Sequence, residues 1–179
     1  MADYFSDHYS ATASSNTIDD PRIKVAAGLS NAKIRYKRGV VTTDTDQAAA
    51  DVLRFFTLKS SDRILELLLT TPGDGGTTVT TDLGVHTKDG GAAIDANLFA
   101  TAVDINAAVA RVDQFVEAGT LEQADRGKPL YVLVDEGLAS AVYDNDPLVD
   151  WDITGTISTE NATAGAEVVL EVYYTSAGA

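Results

Sequence analysis

Residues 166–175, AEVVLEVYYT, decide how the rest of this chain is read. Ala166, Val168, Leu170, Val172 and Tyr174 share one parity, while Glu167, Glu171 and Tyr173 share the other. Successive side chains of a strand point to opposite faces, so the segment predicts a half-buried strand with its apolar row turned inward. Residues 151–157 (WDITGTI) repeat the pattern. Trp151, Ile153 and Ile157 fall on one face, and Asp152, Thr154 and Thr156 on the other. The intervening residues 158–165 are polar and have the character of a hairpin loop, which predicts that the two strands pair with each other.

Most of the chain upstream reads the same way. In residues 33–41 (KIRYKRGVV), Ile34 and Tyr36 alternate with Lys33, Arg35 and Lys37, predicting a strand with one charged face. Residues 52–58 (VLRFFTL) and 63–70 (RILELLLT) are apolar runs of strand length, although a helix over 48–56 stays open. Residues 72–76 (PGDGG) form a turn, because glycine takes positive φ without steric cost. In residues 77–87, Val79, Thr81, Leu83 and Val85 share one parity. Thr78, Thr80, Asp82 and His86 share the other, which places His86 on a solvent-facing row. Lys88-Asp-Gly-Gly91 closes that strand, and both glycine clusters are expected to be hairpin turns.

Two segments depart from the pattern. In residues 95–103, Asp95 is a plausible N-cap, and Leu98, Phe99 and Ala102 fall at helical spacing, predicting one short helix. Residues 129–135 (PLYVLVD) are expected to be a strand apolar on both faces, and 108–117 stay undecided. Seven or eight short strands with Gly- or Asp-rich turns imply a mainly β fold, an antiparallel β-sandwich with one short helix. No heptads and no repeat of 20–50 residues occur. Residues 1–21 read as an extended N-terminal arm, rich in Ser, Asp, Thr and Ala, with residues 22–179 as the sandwich domain.

The 179 residues include no cysteine, 13 basic and 27 acidic residues, for a net charge of −14. A chain this long can bury roughly 70% of its extended-chain surface, enough for a core. Zero cysteine removes a disulfide framework, a Cys-ligated zinc and a thiol nucleophile together. The acidic balance argues against direct nucleic-acid or anionic-membrane partners, since phosphate contacts need Lys and Arg. No apolar run approaches the ~18 residues of a membrane span. The acidic N-terminus lacks the apolar core of a secretory signal, so a soluble, non-exported chain is expected. The charge is unevenly placed. Six basic residues (Arg22, Lys24, Lys33, Arg35, Lys37, Arg38) and no acidic one lie within 22–38, whereas residues 64–179 hold 19 acidic and four basic groups.

The residue types of catalysis are scarce. His8 lies in the arm and His86 on a polar strand row, and neither has a second histidine near it in sequence. Transition metals would lack their preferred ligands, and no metal or cofactor is expected. Asp144, Asp146, Asp150 and Asp152 cluster, and Asp44 with Asp46 forms a second pair. Paired carboxylates could serve a glycosidase or calcium, but neither cluster matches an EF-hand loop, and solvated turns explain them better. The glycine clusters contain neither GxGxxG nor a P-loop, and no GxSxG elbow exists. The basic strip, with Tyr36 as its one aromatic, is a weak nucleic-acid platform. It is a better complement to an acidic protein surface or to a sister subunit.

From residue 63 onward the chain resembles the capsid decoration, or cement, proteins of tailed bacteriophages. The resemblance rests on the order of several short motifs. RILELLL (63–69) is followed by a Gly-rich turn and TTVTTDLGV (77–85), then by KDGG (88–91) and IDANLF (94–99). WDITGTI (151–157) and TAGAEVVLEVYY (163–174) close the chain. It covers about two-thirds of the sequence, and residues 1–62 carry none of it. The resemblance implies a jelly-roll-like sandwich whose last two strands form a hairpin. It also implies a homo-oligomer (trimer or dimer), bound to the major capsid protein on the capsid exterior after assembly in the host cytoplasm. It carries over no catalytic residue. Tyr4, Phe5 and Tyr9 of the arm and Arg22, Lys24, Lys33, Arg35, Lys37 and Arg38 of the strip are the expected docking residues. Two other readings compete: a phage tail or fibre sandwich, and a carbohydrate-binding or hydrolytic module using Trp151, Tyr143 and the carboxylates of 144–152.

Overall fold

A computed structural model describes residues 33–43, 48–73, 79–138, 142–158 and 167–176. These hold eight strands: β1 (Ile34–Thr42), β2 (Val52–Lys59), β3 (Arg63–Thr71), β4 (Thr80–Thr87), β5 (Ala93–Asp104), β6 (Val109–Asp113), β7 (Asp150–Ile157) and β8 (Glu167–Thr175). One α-helix, α1 (Leu130–Gly137), separates β6 from β7. The strands form two four-stranded sheets, ordered β1-β8-β3-β6 and β2-β7-β4-β5. Every pairing is antiparallel. Strand 1 pairs with 8, 2 with 7, 3 with 6 and 4 with 5, as if one long hairpin had been rolled up; this is the eight-stranded jelly roll.

That winding corrects the expected local pairing. The strands over 151–157 and 167–175 exist with the predicted inward rows, but they lie in opposite sheets and are not a hairpin. The turn expected at 72–76 lies mostly outside the described residues, and the strands on either side of it, β3 and β4, lie in different sheets. The turn at 88–91 is a true hairpin, with Asp89 (φ 59°) and Gly90 (φ 85°) both left-handed, the geometry that matches the twist of paired strands.

The core lies between the sheets. Leu53, Leu58, Leu67, Leu69, Leu83, Val85, Ile153, Ile157, Leu170 and Val172 are all buried there. Residues 52–59 are strand throughout, which settles the helix left open over 48–56.

Two elements have the opposite type from that expected. Residues 95–103 belong to β5, not to a helix. β5 shifts register three times against β4, so Leu98, Phe99 and Ala100 are buried consecutively and fit neither a period of two nor one of 3.6. Asp95 does accept a local backbone bond, from Asn97 N–H at 3.2 Å, but as a bulge device; the same short side chain would cap a helix. Residues 130–137 are helix α1, not a strand. Leu130, Leu133 and Val134 are its buried residues, at i, i+3 and i+4, and a seven-residue apolar run is too short for periodicity to separate the two types. The helix packs on β5 at Gly137, where a Cβ would sit 2.5 Å from Asp95 Oδ2 and 2.6 Å from Leu98 Cδ1.

Candidate functional site

β1 and β2 are edge strands, one from each sheet, on the same side of the sandwich. They touch at Gly39, where an added Cβ would lie 2.4 Å from the Phe55 carbonyl oxygen. From that contact they part toward Arg35 and Lys59, and a cleft of about 490 Å3 opens between them. Leu58 and Tyr174, 1% and 5% exposed, line its depth. Buried Asp62 adjoins them, accepting from the Lys59 N–H at 3.0 Å and from Ser176 Oγ at 2.7 Å. Burial pushes the Tyr174 hydroxyl above its ordinary pKa, and the charge of Asp62 adds to the shift, while Arg35 opposes it.

Four cations meet at this cleft: Arg35 and Lys37 from β1, Lys59 from β2, and Lys88 from the hairpin turn. Lys37 Nζ donates to the Thr57 carbonyl and lies 5.8 Å from the centre of the Tyr174 ring. Lys88 pairs with Asp150 at 3.2 Å, and that hydrogen bond raises the lysine's pKa.

The other face of β1 carries exposed apolar side chains, with Arg38 among them. Ile34, Tyr36 and Val40 are 66%, 47% and 42% exposed on the outside of the first sheet. Tyr36 and Tyr173 pack as a tilted pair with ring centres 5.3 Å apart, and Tyr36 Oη donates to Glu171 Oε1. This bond raises the Tyr36 hydroxyl pKa. Arg111 closes the group, 3.5 Å from Glu171 and 3.4 Å from the Tyr173 hydroxyl. Glu171 faces outward as its parity requires, yet these neighbours leave it 8% exposed.

The alternation read in residues 33–41 is therefore present, and the structure decides which row faces which way. Ile34 and Tyr36 face out, and Arg35 and Lys37 lie on the inward parity, in register with core residues Tyr174 and Val172. At a sheet edge next to an open cleft, long cationic side chains can leave the inner face and reach water. Arg38 lies on the outer face opposite Glu171, and exposed Lys33 precedes the strand. Tyr4, Phe5, Tyr9, Arg22 and Lys24 lie outside the described residues. Lys59 and Lys88 went unnoticed in the sequence because nothing local marks them; the fold alone brings them to Arg35 and Lys37.

The chemical candidates resolve differently. His86 is buried at 4% exposure, not solvent-facing, with Nδ1 2.7 Å from Thr154 Oγ1. Burial lowers its pKa, the nearby Arg54 charge lowers it further, and Asp152 opposes both. Beside it, Asp152 accepts from Arg54 at 2.8 Å and from Thr57 Oγ1 at 2.7 Å. The remaining carboxylates of the 144–152 cluster disperse. Asp150 pairs with Lys88, Asp146 accepts from Ser60 Oγ and Leu148 N–H, and Asp144 is exposed. Among the described residues, no group of three or more His, Asp or Glu side chains is placed to hold a metal ion. Trp151 is 2% exposed and packs against the tilted ring of Tyr143 at 5.4 Å, so its buried ring offers no platform for a sugar. No helix among the described residues is long and apolar enough to cross a membrane.

The same fold occurs in phage capsids. A chain in the capsid of Ralstonia phage GP4 superposes with a TM-score of 0.56 and 18% identity, covering 83% of this chain and 88% of that one. A chain of the cyanophage Pam1 capsid asymmetric unit gives a TM-score of 0.48 and 16% identity over 82% of this chain and 86% of that one. At these identities the first likeness establishes the fold, and the second carries no argument. No protein-family model and no curated protein matches the sequence.

Proposed function

We propose that this chain is a non-enzymatic structural protein of a phage virion, a decoration protein that binds the outer surface of the capsid and stabilises it. A fold shared with a capsid chain does not by itself assign a role, so the reading rests on the surface. The carrying observation is β1. It is an edge strand with apolar Ile34, Tyr36 and Val40 exposed on one face and Arg35 and Lys37 turned into a cleft on the other. An unpaired edge with an exposed apolar row is a liability in a free monomer and an asset in a protein that docks.

The proposed partner is the major capsid protein. Docking uses this strip, together with Tyr4, Phe5, Tyr9, Arg22 and Lys24 of the N-terminal region. Assembly as a homo-oligomer multiplies modest contacts through effective concentration. The acidic remainder of the chain faces solvent and keeps particles mutually repulsive.

Quantitative mass spectrometry of purified virions tests this. Copies in proportion to the capsid lattice are expected; a few copies per particle point instead to a tail or fibre protein, and absence from the particle ends the proposal. Removing residues 1–20 tests the arm separately, since unchanged loading onto capsids dismisses its role.

A further inference from the structure

We infer that the free edge of β1 and the adjoining cleft receive an extended acidic segment of the docking partner, added as a further strand with alternating acidic and apolar residues. The inference rests on the docking role proposed above and names what that site takes.

Three observations carry it. Among the described residues β1 pairs only with β8, so its other edge presents backbone donors and acceptors to an incoming strand. Side chains of an added strand alternate in step with those of β1. One row would lie beside Ile34, Tyr36 and Val40, and the other beside Arg35 and Lys37 at the mouth of the cleft. Over residues 34–37 the two rows of β1 therefore select opposite side-chain types, apolar outside and carboxylate inside, before Arg38 adds a cation to the outer row.

The charge pattern gives the sign. In a chain of net charge −14, the cleft gathers four cationic side chains against two carboxylates. Both carboxylates are already engaged, Asp62 with Lys59 N–H and Ser176, and Asp150 with Lys88. Arg35 and Lys59 are exposed at the rim, where an incoming carboxylate reaches them without burying an unpaired charge. Gly39 sets the length. There β1 meets Phe55 of β2 and the cleft closes, so the inner row of the guest is read only from Lys33 to Lys37.

The test uses the full chain and three capped synthetic peptides, one alternating Val and Glu, one alternating Val and Lys, and one alternating Val and Ser. Titrations are followed by amide chemical shifts. The Val/Glu peptide is expected to bind saturably, shifting residues 33–38 and Lys59, while the other two bind at least about tenfold more weakly. Lys59→Glu and Lys37→Glu are each expected to weaken Val/Glu binding about tenfold, with Lys128→Glu, the same charge change outside the cleft lining, changing it less than about twofold. Dispersed spectra check that each variant is folded; Lys59→Glu, at an exposed position, keeps the test open should Lys37→Glu unfold. Equal binding of all three peptides, no binding of Val/Glu, or equal sensitivity to Lys128→Glu overturns the inference. So does a single-stranded oligonucleotide that binds as well with the same dependence on Lys59, since the cleft would then be a general anion site. Failure here with normal virion loading sinks the inference alone. Peptide binding by a protein absent from virions sinks the decoration role alone.

Discussion

Gly39 of β1 lies directly against the backbone of Phe55 in β2, so that a Cβ at position 39 would come within 2.4 Å of the Phe55 carbonyl oxygen and 2.7 Å of its Cβ. This contact joins the two sheets at their common edge and is the point from which the basic cleft opens. Gly39→Ala forces one backbone away from the other, and the loss of stability is expected to be about 1–3 kcal/mol. Chemical denaturation measures it. A variant as stable as the parent would mean that the two edge strands are not held together at this point.

On the outside of the second sheet, Arg54 donates to three acceptors: Asp152 of β7 at 2.8 Å, the Gly91 carbonyl of the β4–β5 turn at 2.9 Å and the Thr87 carbonyl of β4 at 3.1 Å. Asp152 is 7% exposed. Replacing Arg54 with Met keeps the stem and leaves that carboxylate with only Thr57, at an expected cost of about 1–3 kcal/mol. An unchanged denaturation midpoint contradicts the assignment.

His86 gives the fold a pH dependence with a definite sign. Its pKa is lowered in the folded chain, so near the unfolded value of about 6.5 the unfolded chain binds more protons. Its contribution is complete above about pH 6.5 and is lost as the pH falls through the lower folded value. The parent is expected to lose stability between about pH 7.5 and pH 5, and His86→Gln to lose less over the same interval. Parallel pH profiles for the two proteins would show that another group is responsible.

Trp151 is the single tryptophan, and its 2% exposure makes it a reporter of the core. Its fluorescence is expected to be that of an apolar site and to stay unchanged when oligosaccharides are added. Trp151→Ala is expected to cost about 3–5 kcal/mol by opening a cavity beside Tyr143. A saturable shift of the emission with a sugar would restore the carbohydrate-binding reading.

The parts of the fold legible in the sequence are those fixed by a residue's nearest neighbours. The alternation of Val168, Leu170 and Val172, and of Trp151 and Ile153, locates two strands and their buried rows correctly. The Asp89-Gly90 turn is legible because positive φ at two successive positions restricts the residue types. Legibility fails where one local signal serves two structures. Asp95 bonds to the backbone two residues on in a bulged strand much as it would at a helix N-cap, and the apolar run of residues 130–134 suits a buried strand as well as a helix. For the candidate site, the sequence placed Arg35 and Lys37 on one charged strand row but did not say which face of the sheet that row takes. It offered no reason to group Lys59 and Lys88 with them.

By itself, then, the sequence determined that the chain is built mainly of antiparallel strands and where its apolar rows run, because side-chain alternation is a property of each strand alone. It also fixed the uneven distribution of charge, since charge is counted along the chain. Only the tertiary structure decided which strands pair. Of the seven connections between the described strands, only that between β4 and β5 joins neighbours in one sheet, while the others link strands of opposite sheets. Pairing is thus set by packing two sheets around one core rather than by sequence proximity. The same winding places Arg35, Lys37, Lys59 and Lys88 around one cleft and turns Ile34 and Tyr36 outward, because an edge strand has a neighbour on only one side.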